Sequence, residues 1–148
     1  MRAMVVYDSV YGNTEKVAQA IGDGIGAGAQ VIRAAAVQAS DLEGLELLVV
    51  GSATHGGQPT EALQGFMVRA EGISLDGIKV AAFDTRLATK LVAIFGYAAK
   101  RIAAELEGRG GKLVAPPEGF VVRGRRGPLQ EGELERATAW GRKTSTEG

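Results

Sequence analysis

Val49-Val50-Gly51-Ser52-Ala53-Thr54-His55-Gly56-Gly57-Gln58-Pro59-Thr60 is the stretch that decides the fold. It completes a run from Leu45 that is apolar apart from Glu46, then changes to glycines, hydroxyl side chains, the only histidine and a proline. A buried strand ends at Gly51, and the loop after it is small enough to lay its backbone against a flat ligand. The pattern also occurs earlier, where Val5-Val6-Tyr7 runs into Asp8-Ser9-Val10-Tyr11-Gly12-Asn13-Thr14 and opens a helix. Two strand ends, each followed by a small loop and a helix, describe a ligand site at the carboxyl edge of an open parallel sheet.

Outward from these loops, strands and helices alternate, the pattern of βαβ units. The first strand is Arg2–Tyr7, and a helix from Thr14 carries Val17, Ala18, Ile21 and Ile25 at helical spacing. Gly22, Gly24, Gly26 and Gly28 are expected to fray its end; they do not form a dinucleotide fingerprint, because they close a helix rather than open one. Strand two is Gln30–Ala35, Ser40 with Glu43 fits a capping box, and strand three is Leu45–Gly51. Pro59-Thr60-Glu61 starts a helix with Leu63, Phe66, Met67 and Ala70 on its apolar face. Strand four is Ile78–Phe83, and Asp84 to Lys90 reads as a third loop at the same sheet edge. Leu91–Phe95 fits that loop or the next helix, and Gly96 favours the loop. A helix over Tyr97–Glu107 turns Ala98, Ile102 and Leu106 inward. Strand five, Lys112–Ala115, is broken by Pro116-Pro117, with Phe120–Val122 resuming it or returning as a loop. Leu134, Ala137 and Trp140 mark a last helix near Glu131–Arg142. The expected class is α/β, a doubly wound sheet with helices on both faces and right-handed crossovers.

At 148 residues the chain reads as one domain, able to bury about 70% of its unfolded surface. With no cysteine and one histidine, thiol chemistry, disulfides and thiolate or histidine metal sites are excluded, and no metal is expected. No apolar run approaches the length of a membrane span, so a soluble cytoplasmic protein is expected. Seventeen basic and seventeen acidic side chains cancel. Residues 1–74 hold 4 basic and 8 acidic groups, and residues 75–148 hold 13 and 9, so the halves carry −4 and +4. Arg123, Arg125 and Arg126 form a basic cluster between glycines; without interleaved aromatics it is a poor nucleic-acid surface, and no nucleic-acid partner is expected.

The Ser9–Thr14 loop gathers two hydroxyls, the Asn13 amide and the N–H groups that head a helix. A helix start carries unpaired donors and about half a positive charge, and so holds phosphate without a lysine. The loop lacks the Gly-Lys-Ser/Thr ending of a triphosphate loop, which favours a monophosphate. Helix capping by Asn13 or Thr14 explains the same residues equally well. The Thr54–Pro59 and Asp84–Leu87 loops flank the space for a planar group, with Gly56 and Gly57 free to take either peptide orientation.

Taken together, Tyr7 to Lys16, Val49 to Thr60 and Ala82-Phe83-Asp84-Thr85-Arg86 resemble the flavodoxin superfamily, and the resemblance covers essentially the whole chain. It implies a three-layer sandwich whose five-stranded parallel sheet has the order 2-1-3-4-5, and it implies FMN as cofactor. Ser9, Gly12, Asn13 and Thr14 match the family's phosphate loop, with Val10 and Tyr11 contributing backbone amides. Ala53, Thr54, His55, Gly56, Gly57 and Gln58 match the loop on one face of the isoalloxazine, and Asp84, Thr85, Arg86 and Leu87 the opposite one. In flavodoxins a glycine peptide of the middle loop turns over to accept from N5–H of the semiquinone, a role the resemblance gives to Gly56-Gly57. Two departures stand out: Tyr11 replaces the threonine of long-studied flavodoxins, and neither flanking loop carries an obvious ring-stacking tyrosine or tryptophan. His55, Leu87 or Phe95 is left to cover the ring.

The expected function is FMN-dependent electron transfer between redox proteins, cycling the flavin through oxidised, semiquinone and hydroquinone states, in a monomer or homodimer. Two alternatives remain open: a small FMN-dependent NAD(P)H/quinone-type reductase, and a flavin-free interaction module on the same fold.

Overall fold

The computed structural model describes residues 1–55, 57–88 and 97–147. Strand β1 (Ala3–Asp8) leads into helix α1 (Asn13–Ile25) and strand β2 (Ala29–Arg33). After two short 3₁₀ turns come β3 (Leu47–Ala53), α2 (Glu61–Arg69) and β4 (Lys79–Leu87). Helix α3 (Ala98–Gly108), short strands β5 (Lys112–Leu113) and β6 (Glu118–Val122), and helix α4 (Glu133–Thr146) complete the described chain. The strands pair in parallel in the order β2-β1-β3-β4-β5, as expected, and β6 also pairs with β4.

β5 and β6 occupy one strand position in two pieces. Lys112 lies opposite Lys79, 33 residues apart, but Glu118 lies opposite Phe83, 35 apart, so two extra residues are accommodated between them. Pro116 and Pro117 fall in that gap, where two missing N–H donors cost no ladder bonds. Phe120–Val122 therefore resumes the strand rather than returning as a loop.

Alternation along β1, β3 and β4 splits the core into two layers. Met4, Val6, Leu48, Val50, Val80 and Ala82 face α2 and α3, where Leu63, Phe66, Met67, Ile102 and Leu106 are buried. Val5, Tyr7, Leu47, Val49, Ala81 and Phe83 face α1 and α4, meeting Val17, Ala18, Ile21, Ala137 and Trp140. Phe83, Phe120 and Trp140 form an edge-to-face triangle with centroids 6.1–6.2 Å apart.

Four expectations need correction. Gly22 and Gly24 do not fray α1, because they are contact points: a Cβ on Gly22 would strike Val31, and one on Gly24 would strike the Thr138 backbone of α4. The 3₁₀ turn Ala39–Leu42 is closed by Asp41, whose carboxylate accepts from Gln38 N–H at 2.8 Å, not by Ser40 with Glu43. Leu134 is 39% exposed, unlike Ala137 and Trp140. Asp84, Thr85, Arg86 and Leu87 are not a loop; they extend β4, paired with β6 throughout and with β3 as far as Thr85. Leu91–Phe95 lies outside the described residues.

Candidate functional site

The carboxyl ends of β1, β3 and β4 open onto a cavity of about 390 Å³, within the range of small-ligand clefts. Its first wall is the turn from β1 into α1. Ser9 Oγ accepts from Gly12 N–H at 3.0 Å, and Gly12 has φ 92°, a conformation glycine adopts without strain. No side chain caps α1. The N–H groups of Val10, Tyr11, Asn13 and Thr14 have no backbone acceptor among the described residues. Ser9, Val10, Tyr11, Asn13 and Thr14 line the cavity, while Gly12 supplies the bend behind them. Arg33 braces this turn from outside, donating to Ser9 O at 3.3 Å and to Glu15 Oε1 at 2.8 Å.

Thr14 and Thr85 join the first wall to β4. Their hydroxyls are 2.7 Å apart, and the two residues are only 1% and 5% exposed. One proton serves the bond between them, so one remains to donate to an acceptor in the cavity.

The second wall is the end of β3. Thr60 N–H donates to the fully buried Ser52 Oγ at 3.0 Å, and Thr60 Oγ1 donates to Asp8 Oδ2 at 2.5 Å. Thr60 Oγ1 also accepts from Leu63 N–H, capping α2, so one residue ties two strand ends to a helix start. Between these anchors Ala53, Thr54 and His55 line the cavity. His55 and Gln58 exchange backbone hydrogen bonds of 2.8 and 3.0 Å around a tight turn. Gly57 in that turn has φ 79°, and its carbonyl accepts from Arg101 Nε at 2.9 Å. Gly57 and Gln58 shape the loop from behind the cavity lining. Gly56 lies outside the described residues.

The third wall is the end of β4, from which Thr85, Arg86 and Leu87 reach the cavity. Asp84 does not line it; its side chain is fully buried and structural. Arg86 grips both Asp84 oxygens at 2.6 and 2.8 Å, and Ala99 N–H donates to Asp84 Oδ2 at 2.9 Å. Ala98 N–H donates to Thr54 Oγ1 at 3.3 Å. Asp84 and Thr54 thus cap α3 from the sheet, where Tyr97 offers no side-chain cap. Burial pushes the Asp84 carboxyl above its ordinary value, against the opposing pull of Arg86, Ala99 N–H and Thr54. The ring of Tyr97 covers the Arg86 guanidinium at 3.3 Å, a cation–π contact.

The structure adds two residues to those expected, Val122 and Arg125. Both follow from β6 pairing alongside Arg86 and Leu87. The Arg123-Arg125-Arg126 cluster was the available sequence signal for the second.

The helix-start donors suit an anionic group, and fold and site together define a doubly wound parallel α/β protein with its ligand cavity at the carboxyl edge of the sheet. The chain belongs to the flavodoxin family, whose model matches residues 5–140. Among solved structures it is similar to a flavodoxin from the domain Archaea, with 26% identity, TM-score 0.81, and 98% of this chain and 96% of that one covered. Flavodoxin 2 from Bacillus cereus shares the fold at 24% identity and TM-score 0.82, with 98% of both chains covered. Rubredoxin oxygen:oxidoreductase from Desulfovibrio gigas matches at 18% identity and TM-score 0.78, over 97% of this chain but 35% of that one. No curated protein matches by sequence.

Proposed function

We propose that this chain is a single flavodoxin-like domain that binds FMN and shuttles electrons between two redox proteins in the cytoplasm. The observation that carries this reading is one cavity with unpaired helix-start N–H groups and the Thr14–Thr85 hydroxyls along one wall. Thr54–His55 and Arg86–Leu87 form the walls beside it. Bound FMN supplies one- and two-electron redox chemistry; the protein supplies orientation and electrostatics.

Each part of the chain has a share in that task. The N–H groups of Val10, Tyr11, Asn13 and Thr14 and the spare threonine proton hold the phosphate, and the α1 dipole favours its charge. The Asp8–Thr60–Ser52 links keep the middle loop at a fixed distance from that anchor. Asp84 and Arg86 neutralise each other, so the third wall is rigid without presenting a bare charge. Val10 and Tyr11, 50% and 44% exposed, border the cavity, and an exposed apolar edge suits a transient protein contact. Among the described residues no helix is long and apolar enough to cross a membrane.

The test is the visible spectrum of the purified protein, then FMN addition to the flavin-free form and titration with dithionite. Flavin bands, saturable uptake and two resolved one-electron steps support the carrier. Steady NAD(P)H oxidation with a quinone and no second protein would instead establish a reductase.

A further inference from the structure

The basic cluster that sequence reasoning left without a role lies over the phosphate loop. After β6 the chain folds back tightly: Arg123 N–H donates to Pro128 O at 2.9 Å, and Gly127 N–H donates to Gly124 O at 3.0 Å. Val122 pairs with Leu129, and Gln130 N–H returns to Val121 O at 2.8 Å. The base is clamped by Glu133, which accepts from Val121 N–H at 2.7 Å. The tip, Gly124-Arg125-Arg126-Gly127, is thereby aimed at the start of α1. Gly127 has φ 101°, and the space a Cβ would take there is filled by the Asn13 amide, 2.6 to 3.0 Å away. The Arg126 guanidinium stands 5.6 Å from the centre of the Tyr11 ring.

Arg125 lines the same cavity as Ser9, Asn13 and Thr14. Other arginines near this edge are engaged: Arg33 with Asp8 and Glu15, Arg86 with Asp84, and Arg101 with Gly57 O. Arg125 has no hydrogen bond or ion pair among the described residues. It brings a fixed charge to a pocket whose other lining cation, Arg86, is already paired with Asp84. A phosphate monoester carries about −1.5 to −2 charge at pH 7, more than neutral donors and about half a helix charge balance.

We propose that Arg125 is the specificity residue for the ligand's phosphate: it closes over the Ser9–Thr14 turn from the β6–α4 loop and makes the site select a phosphorylated flavin over an uncharged one. This rests on the FMN reading above. Arg125 is exposed, so the contribution lies below that of a buried charge-assisted pair, about tenfold in affinity. It weakens as salt screens it.

The experiment measures FMN and riboflavin dissociation constants for the flavin-free wild type, Arg125→Gln, Arg125→Lys and Arg123→Gln, at low and high ionic strength. Circular dichroism and urea unfolding check that each variant folds. Arg123 shares the loop but does not line the cavity. Arg125→Gln is expected to weaken FMN about tenfold at low salt and leave riboflavin unchanged. Arg125→Lys should retain much of the preference, and Arg123→Gln should match wild type. Unchanged FMN affinity in Arg125→Gln, or equal losses for both flavins, overturns the proposal while leaving the FMN site standing. A wild type that binds neither flavin overturns both.

Discussion

The Thr14–Thr85 hydroxyl pair allows a prediction in which stability and ligand binding part company. At 2.7 Å and almost no exposure, the two oxygens share one proton and leave one for the cavity. Thr14→Val leaves the Thr85 hydroxyl buried without its partner, which costs about 1–3 kcal/mol of stability. Thr14→Val combined with Thr85→Val removes both polar groups at nearly constant volume, a change that is close to neutral. The double-mutant cycle should therefore show a coupling of about 1 kcal/mol or more. FMN affinity follows a different course. The single variant keeps the Thr85 proton, freed from the pair, as a donor, whereas the double variant has none. The double variant should therefore bind FMN about 10- to 100-fold more weakly, the equivalent of about 1.4–2.8 kcal/mol, and the single variant should lose less. Urea unfolding of the flavin-free proteins and quenching of flavin fluorescence read the two quantities separately. Strictly additive stabilities, or wild-type FMN affinity in the double variant, would refute the shared-proton reasoning.

Other perturbations test the scaffold around the site. Gly141→Ala places a methyl against the Ile21 backbone, so it should cost about 1–3 kcal/mol by overpacking and lower Tm, whereas Gly72→Ala, with nothing within 4 Å, should leave Tm unchanged; equal melting temperatures would refute the close α1–α4 contact. Asp84→Ala leaves Arg86 without its partner and α3 without one of its two caps, and should lose about 3 kcal/mol in urea unfolding; a loss under 1 kcal/mol would contradict a structural Asp84. Arg136 holds the Glu133 carboxyl below its ordinary value, with burial opposing. Its folded pKa is depressed, so the stabilisation is complete above the ordinary glutamate range and disappears as pH falls through the lowered value. Glu133→Gln should flatten the acid limb of stability against pH, and superimposable acid limbs would count against the Glu133–Arg136 pair.

Much of this molecule is legible in its sequence because strand ends and helix starts leave local signatures. Val5-Val6-Tyr7 and Leu47–Val50 announce buried strands, and the hydroxyl-rich turns after them announce the site. The features that escaped depend on partners distant in sequence. Asp84-Thr85-Arg86 looks like a loop because three polar residues rarely continue a central strand; it continues because Arg86 and the start of α3 satisfy the buried carboxylate. Gly22 and Gly24 look like helix breakers until Val31 and Thr138 are seen pressed against them. Arg125 joins the cavity only because the gap around Pro116-Pro117 lets β6 resume beside the end of β4. No local pattern around Arg125 encodes that placement.

The most direct test of the central claim is a crystal structure of the protein with FMN. The phosphate is expected within about 2.7–3.2 Å of N–H groups in the Val10–Thr14 turn, with the ring system beside Thr54–His55 and Arg86–Leu87. A cavity left empty at saturating FMN, or flavin bound elsewhere on the molecule, would contradict it.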